Sequence, residues 1–169
     1  MADLNIEKYG SQILRQKAEP VQNIDGKVKK IIQDMFETLH KNSGLGLAAN
    51  QVGILQRLVV LTNPNTNQDM AFINPEWKEV DPEKEIGEEG CLSVPGIFSK
   101  VNRFQKIQVT TQDVQGRQLD FFADGLLARI IQHEIDHLNG ILFIDRLSPT
   151  RRLVLANKLS RINTNGDHE

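Results

Sequence analysis

Two histidines stand four residues apart in the segment QHEIDHLNG, Gln132–Gly140, and a glutamate follows the first directly. Leu126, Leu127, Ile130, Ile131 and Leu138 give the same stretch an apolar face at helical spacing, so it reads as a helix over about 124–139. Asp124 stands where an N-cap belongs, and Gly140 suits the C′ position. On such a helix His133 and His137 share one face, because side chains four apart lie one turn over the next. Glu134 sits beside that face among apolar neighbours, and a buried carboxylate without a task is costly. The spacing is that of a two-histidine metal site, with the glutamate placed to handle a proton on water at the metal. The plainer reading is a core helix whose histidines only hydrogen-bond. A catalytic metal usually keeps three protein ligands and one open position. The fold must therefore bring a third ligand to this helix.

The stretch after His137 does not supply it. In one large peptidase class the motif extends to HExxHxxGxxH; here Gly140 is in place but the last position is Phe143. A second class uses a later glutamate, and the only one downstream is Glu169, the final residue. Asp145 is badly spaced, and His168 lies in the same tail as Glu169. Upstream, GEEGCLSVPG (87–96) holds the chain's only cysteine, Cys91, next to Gly90. A thiolate is a strong ligand for zinc or ferrous iron, and a glycine lets backbone approach a metal closely. The alternative is that Cys91 is a small buried hydrophobe. The ligand set the residues favour is Cys91, His133, His137 and one water.

The 169 residues suit a single catalytic domain, assigned to 1–164, with a disordered tail over 165–169. A net charge of −2 provides no basic field for nucleic acid, so no specific DNA partner is expected. No apolar run reaches the ~18 residues of a membrane span. One cysteine excludes an intrachain disulfide and fits a reducing compartment; with no secretory pattern in MADLNIEKYG, this points to the cytoplasm. The rest of the chain predicts a short helix within 11–21, a helix over 25–41 capped by Asp25 and stopped by Ser43-Gly44, and strands at 57–62 and 70–75. A hairpin is expected from 106–114 and 116–122, and a last amphipathic helix follows Pro149. Residues 96–102 show no clear pattern. Strands in the middle with helices at both ends predict an α+β fold, antiparallel sheets around the HExxH helix.

Three blocks, GLGLAANQ (44–51), EGCLS (89–93) and QHEIDHL (132–138), occur in this order, flanked by LRQKAEPV at 14–21 and LFIDRLSP at 142–149. Together they resemble the bacterial type of the peptide deformylase family over nearly the whole chain. The resemblance implies antiparallel sheets around the metal-binding helix. It also implies a metal-dependent hydrolase that removes the N-formyl group from nascent polypeptides beginning with formyl-methionine and releases formate. The metal in such enzymes is usually Fe2+, with Zn2+, Ni2+ or Co2+ as substitutes. By the resemblance Glu134 handles the proton, and the oxyanion is met by the side-chain amide of Gln51 and the backbone N–H of Leu92. Leu45 and Gly46 offer backbone to an extended peptide. Ile130, Leu126 and Leu45 are the candidates for the methionine pocket, the plainer reading being that they are only core, and Arg129 can lend its stem while its head reaches water. Glu89 lies at the substrate side, and paired with Arg103 it can brace the Cys91 segment. The basic residues Arg151, Arg152, Lys158 and Arg161 make weak ribosome contact through the last helix an expectation. A metallopeptidase and a non-catalytic metal-binding module are the competing readings.

Overall fold

The computed structural model describes residues 4–162; the tail assigned to 165–169 lies outside them. In chain order the elements are α1 (Gly26–Lys41), β1 (Gly46–Ala48), β2 (Leu58–Thr62), β3 (Asp69–Glu79), β4 (Lys84–Cys91), β5 (Val94–Phe104), β6 (Lys106–Gln112), β7 (Gln118–Asp124), α2 (Gly125–Leu138) and α3 (Pro149–Ser160). Five strands form one antiparallel sheet in the order β1-β2-β3-β6-β7, and β4 pairs with β5 in a separate hairpin. The architecture is α+β, as the element pattern predicts.

Helices cover both faces of the five-stranded sheet. β2 shows why its sequence, LVVLT, is an unbroken apolar run: Val59 and Leu61 face the cluster that contains α2, while Leu58 and Val60 face the one that contains α1. In α1, Val28, Ile32, Met35 and Leu39 recur at helical spacing and are buried. Its first turn is closed by Asp25 Oδ1, which accepts from the Val28 N–H at 3.0 Å. A third cluster joins Val94, Ile97 and Val101 of β5 to Leu142, Phe143 and Ile144 and to Leu155 and Leu159 of α3.

α2 runs through the middle. Every residue from Leu127 to Leu138 is buried, charged ones included. Its start differs from expectation in one respect: Asp124 occupies the N-cap position, but its side chain makes no capping bond. Its end is as expected. Gly140 has φ 78°, and a Cβ there would come within 2.7 Å of the Arg15 carbonyl oxygen.

The expected helix within 11–21 reduces to a 3-10 turn, Gln12–Arg15. Beyond it the backbone is engaged elsewhere: the Ala18 N–H donates to the Leu138 carbonyl at 2.8 Å, and Glu19 exchanges bonds with Leu55 and Arg57. The β3 strand is longer than 70–75. The hairpin β4–β5 has no counterpart in the sequence reading, because polar side chains interrupt its inward row: Glu89, Ser99 and Arg103 are buried beside Ile97 and Val101. Among the described residues no helix is long and apolar enough to cross a membrane.

Candidate metal centre and active-site cleft

Cys91 ends β4, and the strand delivers it to the face of α2 that carries the histidines. The ligand-type atoms of Cys91, His133 and His137 all lie within 4.8 Å of one another. Cys91 Sγ is 3.3 Å from His137 Nε2, and it accepts from the Ser93 N–H and from Gln51 Nε2, both at 3.4 Å. His133 Nδ1 is 2.8 Å from Glu89 Oε1. That bond orients the ring and leaves Nε2 for the cluster, the usual arrangement of a carboxylate behind a ligating histidine. One thiol sulfur and two imidazoles form a donor set suited to a divalent transition metal. Two buried atoms, Glu134 Oε1 and His137 Nδ1, have no hydrogen-bond partner among the described residues. The residues therefore fit a metal ion.

Electrostatics set the two histidines apart. Burial opposes charge on His133, yet Cys91 and Glu89 beside it outweigh burial and hold its pKa well above the ordinary value. His137 is driven the other way, first by burial and then by the charge of His133. Burial also raises Glu89, but hydrogen bonds from Arg103 and His133 more than reverse this, leaving its carboxyl well below the usual carboxylate range.

Behind the histidines lies a buried ionic network. Arg103 donates to Glu89 through Nε at 2.8 Å and Nη2 at 2.9 Å, and to Asp136 through Nη1 at 2.7 Å. Arg146 donates to both oxygens of Asp136, from Nε to Oδ2 at 3.1 Å and from Nη2 to Oδ1 at 2.8 Å. Thus the brace expected of Glu89 and Arg103 is present and fully interior. Arg129 departs from expectation. Its head does not reach water: Nη1 donates to Glu89 Oε2 and to the Val101 carbonyl, both at 2.8 Å, and Nη2 donates to the Glu85 carbonyl at 2.7 Å. Gly87 makes room for it, since a Cβ there would lie 3.0 Å from the guanidinium carbon. The buried carboxylate and carbonyl oxygens of the β4–β5 hairpin thus satisfy the guanidinium inside the protein.

A cleft of about 280 Å³ opens over the cluster. All the sequence-nominated substrate residues, Leu45, Gly46, Glu89, Leu126, Arg129 and Ile130, line it, together with Gln51, Leu92, His133 and Glu134. Leu45 and Leu126 are about half exposed, at its rim. Glu89 faces the cleft wall, but its carboxylate is wholly engaged with Arg103, Arg129 and His133. Gly46 lies against Glu134: a Cβ there would come within 2.7 Å of Oε2. Burial pushes the Glu134 carboxyl up to about 7. Gln51 is buried, its Oε1 accepting from the Ala48 N–H at 2.9 Å, which turns Nε2 toward Ser93 Oγ and Cys91.

Gln132, Asp136, Ser93 and Phe98 were missed in the sequence. Gln132 grips both the N–H and the carbonyl of Phe104, which ties α2 to the end of β5. Asp136 was visible as an acid inside an apolar helix, a signal for a buried cation partner. For Phe98, exposed at the cleft, nothing in the surrounding sequence gave a signal.

The family model for polypeptide deformylase matches residues 3–153. The chain belongs to that family. It is 47% identical over 157 residues to the peptide deformylase of Thermotoga maritima, covering 93% of this chain and 94% of the relative. With the peptide deformylase of Thermodesulfovibrio yellowstonii it shares 46% identity over 162 residues, 94% of this chain and 97% of the other. The crystal structure of the Thermotoga maritima protein superposes with a TM-score of 0.84 at 46% identity, over 88% of this chain and all of that one. The Ehrlichia chaffeensis peptide deformylase gives a TM-score of 0.89 at 38% identity, over 95% and 96% of the two chains.

Proposed function

We propose that this chain is a metal-dependent hydrolase that removes the N-formyl group from nascent polypeptides beginning with formyl-methionine, releasing formate. The observation that carries this reading is the convergence of Cys91, His133 and His137 beneath a cleft into which Glu134 faces, in a chain of the deformylase family. No observation favours a general metallopeptidase or a non-catalytic metal-binding module.

Cys91, His133 and His137 hold one divalent metal, Fe2+ in the cell, with Zn2+, Ni2+ and Co2+ able to take its place. When bound, the metal supplies a Lewis acid that polarises a carbonyl and makes water acidic enough to act near neutral pH. Glu134 takes a proton from the attacking water and returns it to the leaving amine. A carboxyl held near 7 is matched to both transfers. Gln51 Nε2 and the Leu92 N–H donate to the oxyanion that develops on the formyl group. Gln51 is preorganised for this, because its other end is fixed by the Ala48 N–H. Backbone at Leu45 and Gly46 pairs with the extended substrate. Leu126, Ile130 and the stem of Arg129 shape the methionine pocket, while Glu89 acts through His133. The site of action is the cytoplasm, and the basic face of α3 makes a weak contact with the ribosome.

Mass spectrometry of a formyl-Met peptide and its N-acetyl counterpart, each incubated with metal-loaded protein, tests the reading. Loss of formyl alone, with internal bonds intact and the acetyl peptide untouched, is the expected result. Cleavage of internal bonds would assign the chain to the peptidases instead.

A further inference from the structure

A second depression, of about 690 Å³, lies between the outer face of the β4–β5 hairpin and the start of α3. Glu88 and Phe98 line both it and the cleft, so the two meet at Phe98. Along antiparallel partners, side chains alternate between faces. Ile86 and Glu88 of β4, with Phe98, Lys100 and Asn102 of β5, therefore share the outer face. Ile86 is 64% exposed and Phe98 is 60% exposed. Arg146 and Arg151 stand on the opposite wall; with Arg146 paired to Asp136, Lys100 and Arg151 outnumber the one carboxylate of the lining, Glu88. Arg146 is held by Asp136, and Arg151 Nε donates to Ser99 Oγ at 3.1 Å. Lys100 is exposed and has no ion-pair partner among the described residues.

We propose that this groove receives a stretch of about four residues of the formylated polypeptide downstream of formyl-methionine, and that it favours acidic side chains there. The proposal rests on the reading of the cleft given above. A polypeptide whose first residue sits at the metal centre must leave the cleft along some wall, and the groove continues the cleft past Phe98. From Phe98 to Asn102 the strand advances about 13 Å, which matches about four residues of an extended peptide. The exposed ring of Phe98 and the side chain of Ile86 offer apolar contact to any such peptide. The excess of positive charge selects among peptides, and it acts on affinity rather than on the chemical step.

The test uses metal-loaded protein at low salt and three substrates: a formyl-Met tripeptide, and two formyl-Met octapeptides carrying acidic or Lys residues at positions four to seven. Exposed charge pairs each shift affinity by up to about fivefold. The acidic octapeptide is expected to show a KM about fivefold or more below that of the Lys octapeptide, at similar kcat, with the gap closing as salt is added. Lys100→Glu and, separately, Arg151→Glu reduce or invert the preference when each octapeptide is normalised to the same variant's tripeptide kcat/KM. Equal KM values for the two octapeptides would overturn the proposal, as would a preference untouched by both variants. Inhibition by short RNA without any peptide preference would give the groove to nucleic acid and overturn it too. Formate from none of the three substrates would defeat the hydrolase reading itself, a failure distinct from loss of the charge preference.

Discussion

Glu134 and Gly46 pack as one unit. The carboxylate has one buried oxygen without a hydrogen-bond partner, and the other lies where a Cβ at Gly46 would intrude to 2.7 Å. Glu134→Gln keeps the shape and removes the base. It is expected to lower kcat by about 10²–10⁴ while the bound metal per chain stays the same, measured by steady-state formate release beside elemental analysis. Gly46→Ala is expected to lower kcat with little change in melting temperature, because the displaced group is the carboxylate proposed as the base and not core. Gly87 and Arg129 form a second unit, the glycine lacking a side chain where the guanidinium lies 3.0 Å away. Gly87→Ala should cost stability in the native background and much less beside Arg129→Ala. A coupling of about 0.5–3 kcal/mol in a double-mutant denaturation cycle is the predicted result, and additive costs would mean that the two do not share that space.

Among the elements, α2 is unusual because it buries charge on most of its length, and the network behind it decides whether that is tolerable. Arg103 is the common partner of Glu89 and Asp136. Arg103→Leu leaves two buried carboxylates short of a partner and is expected to cost about 3–5 kcal/mol in urea unfolding. The hairpin β6–β7 depends on a much weaker device. Asp113 Oδ1 accepts from the backbone N–H groups of Arg117 and Gln115, both at 2.9 Å, and the Arg117 bond foremost holds its carboxyl below the ordinary value. A depressed carboxyl contributes stability above its unfolded pKa and loses it as pH falls through the folded one. The difference in melting temperature between the native chain and Asp113→Asn is therefore expected to be small at neutral pH and to vanish in acid. The same contrast explains what sequence could and could not reveal. α1, β2 and α2 announce themselves through apolar periodicity, and His133, Glu134 and His137 through spacing. Cys91 emerged because no other ligand was within reach. β4 and β5 stayed hidden because Glu89, Ser99 and Arg103 interrupt the inward row that holds Ile97 and Val101, so alternation carried only a weak hydrophobic signal. The head of Arg129 was misread for a related reason: its acceptors lie on a strand 40 residues away.

At the scale of the whole molecule, three apolar clusters surround one polar seam, the Cys91, His133 and His137 cluster and its ionic support. A ligand that binds only the folded chain stabilises it by mass action, by about 4 kcal/mol at a thousand times its Kd. Removing the metal with a chelator is therefore expected to lower the melting temperature clearly, and restoring it to reverse the loss; no change would mean that the cluster does not bind metal in the folded chain. The central claim is that Cys91, His133 and His137 arm Glu134 for hydrolysis of a formyl group. Its most direct test is formate release from a formyl-Met peptide by protein loaded with ferrous iron without oxygen, with Cys91→Ala and Glu134→Gln measured in parallel. The account predicts release by the native chain, loss of both metal and activity in Cys91→Ala, and loss of activity with metal retained in Glu134→Gln. Native protein that holds one metal per chain yet releases no formate would contradict it.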